Sequence, residues 1–325
     1  MTRAATARRG FVAAVLTAVS LSGCIANTDE PNVVSSPAVA PSAAATTATA
    51  VLAEAAKARL DTTAAGDDAR AKVYSGPALE SANALAKALA ARTDAQKAEV
   101  ELSGDAKVVA VSTAPSLPQQ VLVQTTKKKS GDAVLVLLQA EKAGAPFRIV
   151  AETPMLPGAK LDALDATTSG SAPVKDTAGL AVPPQQVVKA FADSVAFPNP
   201  KTSKLLAADA LSDQLRASAA AQAKSLGEGG VFTQVHEPGA ILGGLKLKGG
   251  KGAVVFALLV RDDRIAMRHA VKLTPAKDVT AVTGVKLITT EAELTSNEII
   301  AFVIPASGAA RAIAASDQLV SGSGR

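Results

Sequence analysis

The chain has 325 residues with 34 basic and 29 acidic side chains, and aromatic residues make up only 2% of it. Proteins that bind carbohydrate or single-stranded nucleic acid usually stack flat rings on their ligands, and this chain has few rings to offer. Arg3, Arg8 and Arg9 lie in the first ten positions, so the remainder of the chain is nearly neutral. It therefore has no basic excess of the kind that nucleic acid requires.

The beginning of the chain has the pattern of an export signal. The three arginines precede an apolar run over residues 11–20, which leads into Leu21, Ser22 and Gly23 directly before Cys24, the single cysteine. This order is the lipobox motif of a bacterial lipoprotein signal peptide. Small residues admit the signal peptidase, and the Cys24 thiol is the nucleophile that accepts a diacylglyceryl group. The sequence therefore predicts lipidation at Cys24 and leaves no cysteine for a disulfide.

Removal of residues 1–23 as a signal peptide predicts a mature chain anchored by lipid at the extracytoplasmic face of the cell membrane. Each buried methylene contributes about 0.8 kcal/mol to membrane binding, so two acyl chains give a stable anchor. The apolar run is shorter than the roughly 20 residues of a spanning helix. Arg8 and Arg9 also approximate a twin-arginine signal, but Ala7 precedes them and no lysine follows. Sec export and twin-arginine export both stay open.

The mature chain divides by composition into a tether and two folded regions. Residues 24–48 are mostly Ala, Ser, Thr, Pro and Val with hardly any charge, which predicts a disordered tether. Residues 49–164 and 184–320 repeat one order of elements and predict two α+β domains. Residues 165–183 have a linker composition, and residues 321–325 are expected to form a flexible tail.

Each predicted domain begins with helices and continues with strands. Apolar spacing predicts helices over residues 51–60, 77–91, 184–195 and 207–226. Runs rich in Val, Leu, Ile and Thr predict strands in the first domain over residues 107–113, 119–126, 133–139 and 147–153. Similar runs predict strands in the second domain over residues 231–236, 241–248, 253–260, 265–273, 284–290 and 298–304.

Helices followed by an antiparallel meander predict a helical layer on one face of a curved sheet. Residues 131–136 and 251–256 show the strongest local correspondence between the two copies. This layout resembles the cone-shaped NTF2-like and cystatin-like domains. With the lipobox and the tether, the whole chain resembles uncharacterised two-domain lipoproteins of high-GC Gram-positive bacteria. The resemblance implies the fold but assigns no functional residue to a position of this sequence.

A search for catalytic motifs finds no reactive constellation. The sequence has no GxSxG, no P-loop and no GxGxxG after a strand. His236 and Glu237 begin an HExxH pattern, but Pro238 breaks the helix that the pattern needs, and we expect His236 in an exposed turn. Two histidines and a lipidated cysteine offer little to a zinc site. We therefore expect no enzyme activity, no metal and no cofactor.

His269 is the candidate binding residue. If residues 265–273 form a strand, His269 and Met267 lie on its apolar face, where a titratable ring could orient a ligand in a pocket of the second domain. The alternative is a neutral imidazole that is satisfied by a backbone carbonyl, or one at the sheet rim.

Two hypotheses about function follow. The tether, the duplication and the lack of reactive groups predict a non-catalytic protein-interaction or envelope-assembly module with an envelope protein as partner. The alternative is a lipoprotein that binds a small apolar ligand in its second domain beside His269.

Overall fold

The computed structural model describes residues 36–270 and 272–325, which belong to one compact unit. The lipobox, Cys24 and most of the predicted tether lie outside the described residues, so their roles stay predictions. Within residues 36–270 and 272–325, no helix is both long enough and apolar enough to cross a membrane.

The first half of the unit has helices on one face of an antiparallel sheet. The helices are α1 (Pro41–Leu60), α2 (Ala64–Val73), α3 (Gly76–Ala90) and the short α4 (Asp94–Ala98). The strands are β1 (Lys107–Val111), β2 (Gln119–Thr126), β3 (Ala133–Ala140) and β4 (Arg148–Pro154), and they pair in chain order. All four strands were predicted from the sequence within one or two residues of their observed ends.

Helix α1 begins inside the segment that composition assigns to the tether. Pro41 starts the helix, where the fixed backbone angle of proline suits the first turn. Ala44, Ala48 and Leu52 recur at helical spacing and are buried. The small alanine side chains let the helix pack closely. In the sequence, however, such an Ala-rich segment shows no apolar stripe that would predict a helix.

The second half contains a longer sheet and a second helical layer. Its helices are α5 (Pro184–Val195), α6 (Ala210–Leu226) and the short α7 (Lys277–Thr283). Its strands are β5 (Gly230–Lys246), β6 (Gly252–Met267), β7 (Glu291–Pro305) and β8 (Arg311–Gly324), which also pair in chain order. The structure is thus α+β, with two four-stranded antiparallel sheets that each pack against helices.

Several strands of the second sheet differ from the prediction. Two pairs of predicted short strands are continuous as β5 and β6, and the strand expected over residues 284–290 is absent from the described secondary structure. The expected flexible tail, residues 321–325, contributes its first four residues to β8. Strand β5 crosses Pro238 through irregular pairing, which an outer strand tolerates.

The two sheets also pack against each other. Gln139 Nε2 on β3 donates to the Leu242 carbonyl of β5 at 2.6 Å, and the Gly244 amide donates to Gln120 Oε1 on β2 at 3.2 Å. A Cβ at Gly243 would lie 2.4 Å from Gln139 Nε2, so this close approach requires glycine. Apolar side chains of both sheets and of α1 to α3 share one core.

The other face of the second sheet forms a separate core with α5. Phe191 of α5 meets Phe302 of β7 edge to face, with ring centroids 5.5 Å apart. Val188, Val255 and Ile300 belong to the same buried cluster. The layers therefore follow the order helices, first sheet, second sheet, helices.

The segment expected to be a linker ties the sheets together. The Ser171 amide donates to the Val111 carbonyl of β1 at 2.8 Å, and the Lys246 amide of β5 donates to the Ala172 carbonyl at 2.7 Å. Ser171 is buried. Residues 165–183 thus contact the outer strands of both sheets.

Candidate functional site

A cavity of about 310 Å³ lies between α3, the end of β4 and the outer strand β8. Its apolar wall includes Leu102, Val134 and Ile299, and its polar wall includes Arg59, Tyr74 and Glu152. The first half of the chain and the second sheet both contribute side chains. A cavity of this size, apolar with a few polar groups, is at the lower end of the range for small-molecule sites.

Helix α3 supplies one wall with small side chains. Ala78, Ser81, Ala82 and Leu85 line the cavity and recur at the spacing of one helix face. Three of these four side chains are no larger than serine, which leaves space between the helix and the sheet. Glu80 of α3 accepts a hydrogen bond from Asn297 Nδ2 on β7 at 3.1 Å, which ties the helix to the second sheet.

The buried end of the cavity holds three interacting polar side chains. Tyr74 Oη donates to Glu152 Oε2 at 3.1 Å, and Arg59 Nη1 donates to Glu152 Oε1. Burial and the nearby Glu152 carboxylate raise the pKa of Tyr74, so its hydroxyl stays protonated and remains a donor. Burial works against the charge of Arg59, but Glu152 outweighs it and the pKa of the guanidinium is raised.

Two donor atoms of residues that line the cavity have no protein partner. Among the described residues, neither Arg59 Nε nor Ser81 Oγ has a hydrogen-bond partner, and both atoms are shielded from solvent. A buried donor without an acceptor costs about 1–3 kcal/mol.

Arg92 and Lys127 bring positive charge to other parts of the lining. Arg92 Nη2 donates to Asp278 Oδ2 of α7 at 3.0 Å, and this hydrogen bond lowers the pKa of the Asp278 carboxyl. Lys128 and Lys129 pair instead with Glu101 and Glu99.

Asp278→Asn tests the contact between Arg92, in the turn after α3, and α7. Because the folded pKa of Asp278 is lowered, its charge stabilises the fold above the unfolded pKa and this stability is lost as pH falls through the folded pKa. We expect the variant to lose about 0.2–1 kcal/mol of unfolding free energy at pH 7 and to match the parent in strong acid. Urea titrations at the two pH values measure the difference, with Asp68→Asn at an exposed position of α2 as control. A deficit of equal size in acid would show that charge is not its source.

A second polar cluster lies on the second sheet, on the face that packs against α5. His236 Nδ1 on β5 is 2.7 Å from Glu298 Oε2 on β7, and His236 Nε2 is 3.2 Å from Gln234 Oε1. Arg261 Nη1 on β6 donates to Glu298 Oε1 at 3.0 Å. The His236 side chain is fully buried, so the exposed turn expected for it is wrong. The cause is the continuity of β5, which places His236 within the ladder opposite Arg261.

Arg261 is the central cation of this cluster. Burial lowers its pKa, but the carboxylates of Asp317, Asp263 and Glu298 outweigh that effect and raise it. Arg261 Nη1 also donates to Asp317 Oδ2 on β8 at 2.5 Å. Asp317 lines the cavity as well, so one carboxylate belongs to both polar groups. In the described part of the chain, no group of three or more His, Cys, Asp or Glu side chains is placed to hold a metal ion.

The structure places His269 and Met267 away from this cavity. Strand β6 ends at Met267, and His269 lies exposed in the bend that follows. The alternation that suggested a buried ring holds only while the strand is paired, and the pairing stops before His269. The buried position expected for His269 is therefore not found, and its binding role stays a prediction.

Neither a scan of protein-family models nor searches of curated proteins and of solved structures finds a match for this chain. The residues of the cavity are thus interpreted from their geometry alone.

Proposed function

We propose that this chain is a lipid-anchored extracytoplasmic protein that binds a small molecule in the cavity between α3, β4 and β8. The observation that carries the proposal is the cavity itself, which joins an apolar wall to a buried end that holds Arg59, Tyr74 and Glu152. An apolar cavity with a few polar side chains is the usual form of a small-molecule site. The cavity favours ligand binding over the protein-interaction role, and it moves the site away from His269.

The anchor and the finer fold are parts of the same proposal. The lipobox supports acylation at Cys24 and an extracytoplasmic location, and mass spectrometry of the mature amino terminus tests both. The repeated order of helices and four strands supports an NTF2-like or cystatin-like fold for each half. An envelope protein partner is a further expectation from the tether.

Binding of a neutral fluorescent probe, 1-N-phenylnaphthylamine, tests the cavity. We would use the full chain with Cys24→Ser, which cannot be acylated. The parent is expected to enhance the probe's fluorescence saturably. Ala82→Phe fills the α3 wall and is expected to weaken binding by at least about tenfold, because the ring occupies the space of the ligand.

Two controls keep the result interpretable. Ala221→Phe adds the same ring at an exposed position of α6 and is expected to leave probe binding unchanged. If Ala82→Phe unfolds, judged by circular dichroism, Ser81→Leu replaces it as the filling variant. Absence of saturable binding by the parent, or equal affinity in parent and filled variant, contradicts the proposal.

A further inference from the structure

All the charged side chains that line the cavity, except one, are paired with an opposite charge. Arg59, Arg92 and Asp317 each have an oppositely charged partner on a neighbouring element. Lys127 also lines the cavity and is half-buried. Among the residues that the structure describes, it has no carboxylate within 4.0 Å. The lining therefore holds one cation without a counter-ion.

The backbone around Lys127 is held in place by the hairpin that joins β2 to β3. The Lys127 amide donates to the Asp132 carbonyl at 2.8 Å, and the Gly131 amide donates to the Lys127 carbonyl at 2.9 Å. Leu102, another cavity residue, forms a bridge with Lys127. The hairpin turn therefore fixes the backbone position of Lys127.

Its neighbour provides a natural comparison. Lys128 Nζ lies 2.7 Å from Glu101 Oε1, so its charge is already compensated in a more exposed position. The run of three lysines in the sequence is therefore divided by the fold: one lines the cavity without a counter-ion, and the other two pair with glutamates.

An ammonium group beside an apolar wall favours a ligand that brings a negative charge and an apolar body together. A half-buried cation gains most from a partner that shares its low-dielectric surroundings. Because one positive charge of the lining is unpaired, we expect the ligand to carry one negative charge. We infer that the ligand is an amphipathic monoanion, an acid whose carboxylate pairs with Lys127 while its apolar part contacts Ala82, Leu85 and Ile299. This inference rests on the proposed binding function.

Three amphiphiles of equal chain length and different charge test the inference. Decanoate, decanol and decyltrimethylammonium are titrated against the bound probe 1-N-phenylnaphthylamine on the full chain with Cys24→Ser. Decanoate is expected to displace the probe at about tenfold lower concentration than decanol, the ratio for one partly screened ion pair. The ammonium compound is expected to be the weakest. Raised salt should reduce the preference.

Lys127→Met keeps the length and the apolar stem of the side chain and removes its charge. It is expected to abolish the preference for decanoate over decanol. The preference is the ratio of the two displacing concentrations within one variant, so a change in probe affinity cancels, and circular dichroism shows that the variant is folded. Lys128→Met is the matched control and is expected to keep the preference. Equal loss in both variants, or no preference in the parent, overturns the assignment of a monoanion to Lys127. If the parent binds the probe, either of these outcomes contradicts only the anion preference and not the proposed binding function. A parent that does not bind the probe contradicts the binding function itself.

Discussion

Replacing Glu298 with alanine is expected to lower the free energy of unfolding by about 3–5 kcal/mol. The Glu298 side chain is 3% exposed and accepts from Arg261 at 3.0 Å, with His236 at 2.7 Å from its other oxygen. Its removal leaves a guanidinium and an imidazole nitrogen without this acceptor in the interior. Arg261 keeps Asp263 and Asp317 as partners, so the cost arises because buried groups on β5 and β6 lose Glu298 as their hydrogen-bond acceptor. The effect therefore exceeds that of a typical surface ion pair. Chemical denaturation of the full chain measures it.

Two further variants separate the effect of the lost charge from the effect of the lost side-chain volume and from the effect of a substitution elsewhere on β7. Glu298→Gln keeps the volume and one acceptor oxygen, so we expect a loss smaller than that of Glu298→Ala. Glu293→Ala, on the same strand, breaks an ion pair with Arg264 in which both side chains are substantially exposed. Its expected cost is at most about 1 kcal/mol. If Glu298→Ala also lost at most about 1 kcal/mol of unfolding free energy, the cluster would not contribute to stability as we expect.

The elements that sequence reasoning predicts well are those with local signals. Helix α5 has its predicted bounds, because a proline fixes its start and the apolar residues Val187, Val188 and Phe191 recur at helical spacing. The strands of the first sheet alternate with turn residues and were also predicted closely. In each case the pattern that identifies the element lies within the element.

The elements that were missed depend on distant partners. Strand β8 is rich in Ala, Ser and Gly and becomes a strand by pairing with β7 along most of its length. The first turns of α1 likewise gain their stability from packing of Ala44 and Ala48 in the core. Alanine and serine carry little periodic signal, so no local rule distinguishes these segments from a tether or a tail.

The candidate site was missed for the same reason on a larger scale. Arg59 and Ser81 lie on helices of the first half, whereas Asp317 lies on the last strand. A division into two separate domains places these residues in different sites. The one local hint was Tyr74, the single tyrosine, which precedes α3 and donates to Glu152.

Arg70→Ala is expected to destabilise the chain by a similar amount, about 3–5 kcal/mol, because buried acceptors on α1 and α3 lose their donor. The Arg70 side chain is almost wholly buried, and its guanidinium joins three helices. Nη1 donates to the Ala58 carbonyl at 2.8 Å and Nε donates to Asn83 Oδ1 at 2.7 Å. The Ala58 carbonyl lies in the last turn of α1, where helix carbonyls lack partners of their own.

The same substitution should also weaken probe binding, because Ala58 directly precedes Arg59 in α1. Loss of the Arg70 contacts frees the last turn of α1 and with it the guanidinium that lines the cavity. Arg70→Lys keeps the charge but not the planar fork of donors, so we expect only partial recovery of stability and of probe affinity. Lys72→Ala, exposed on the same helix, is expected to change stability by less than about 0.5 kcal/mol. If Arg70→Ala were to lose stability without any change in probe affinity, Arg70 would support the helices but not the geometry of the cavity.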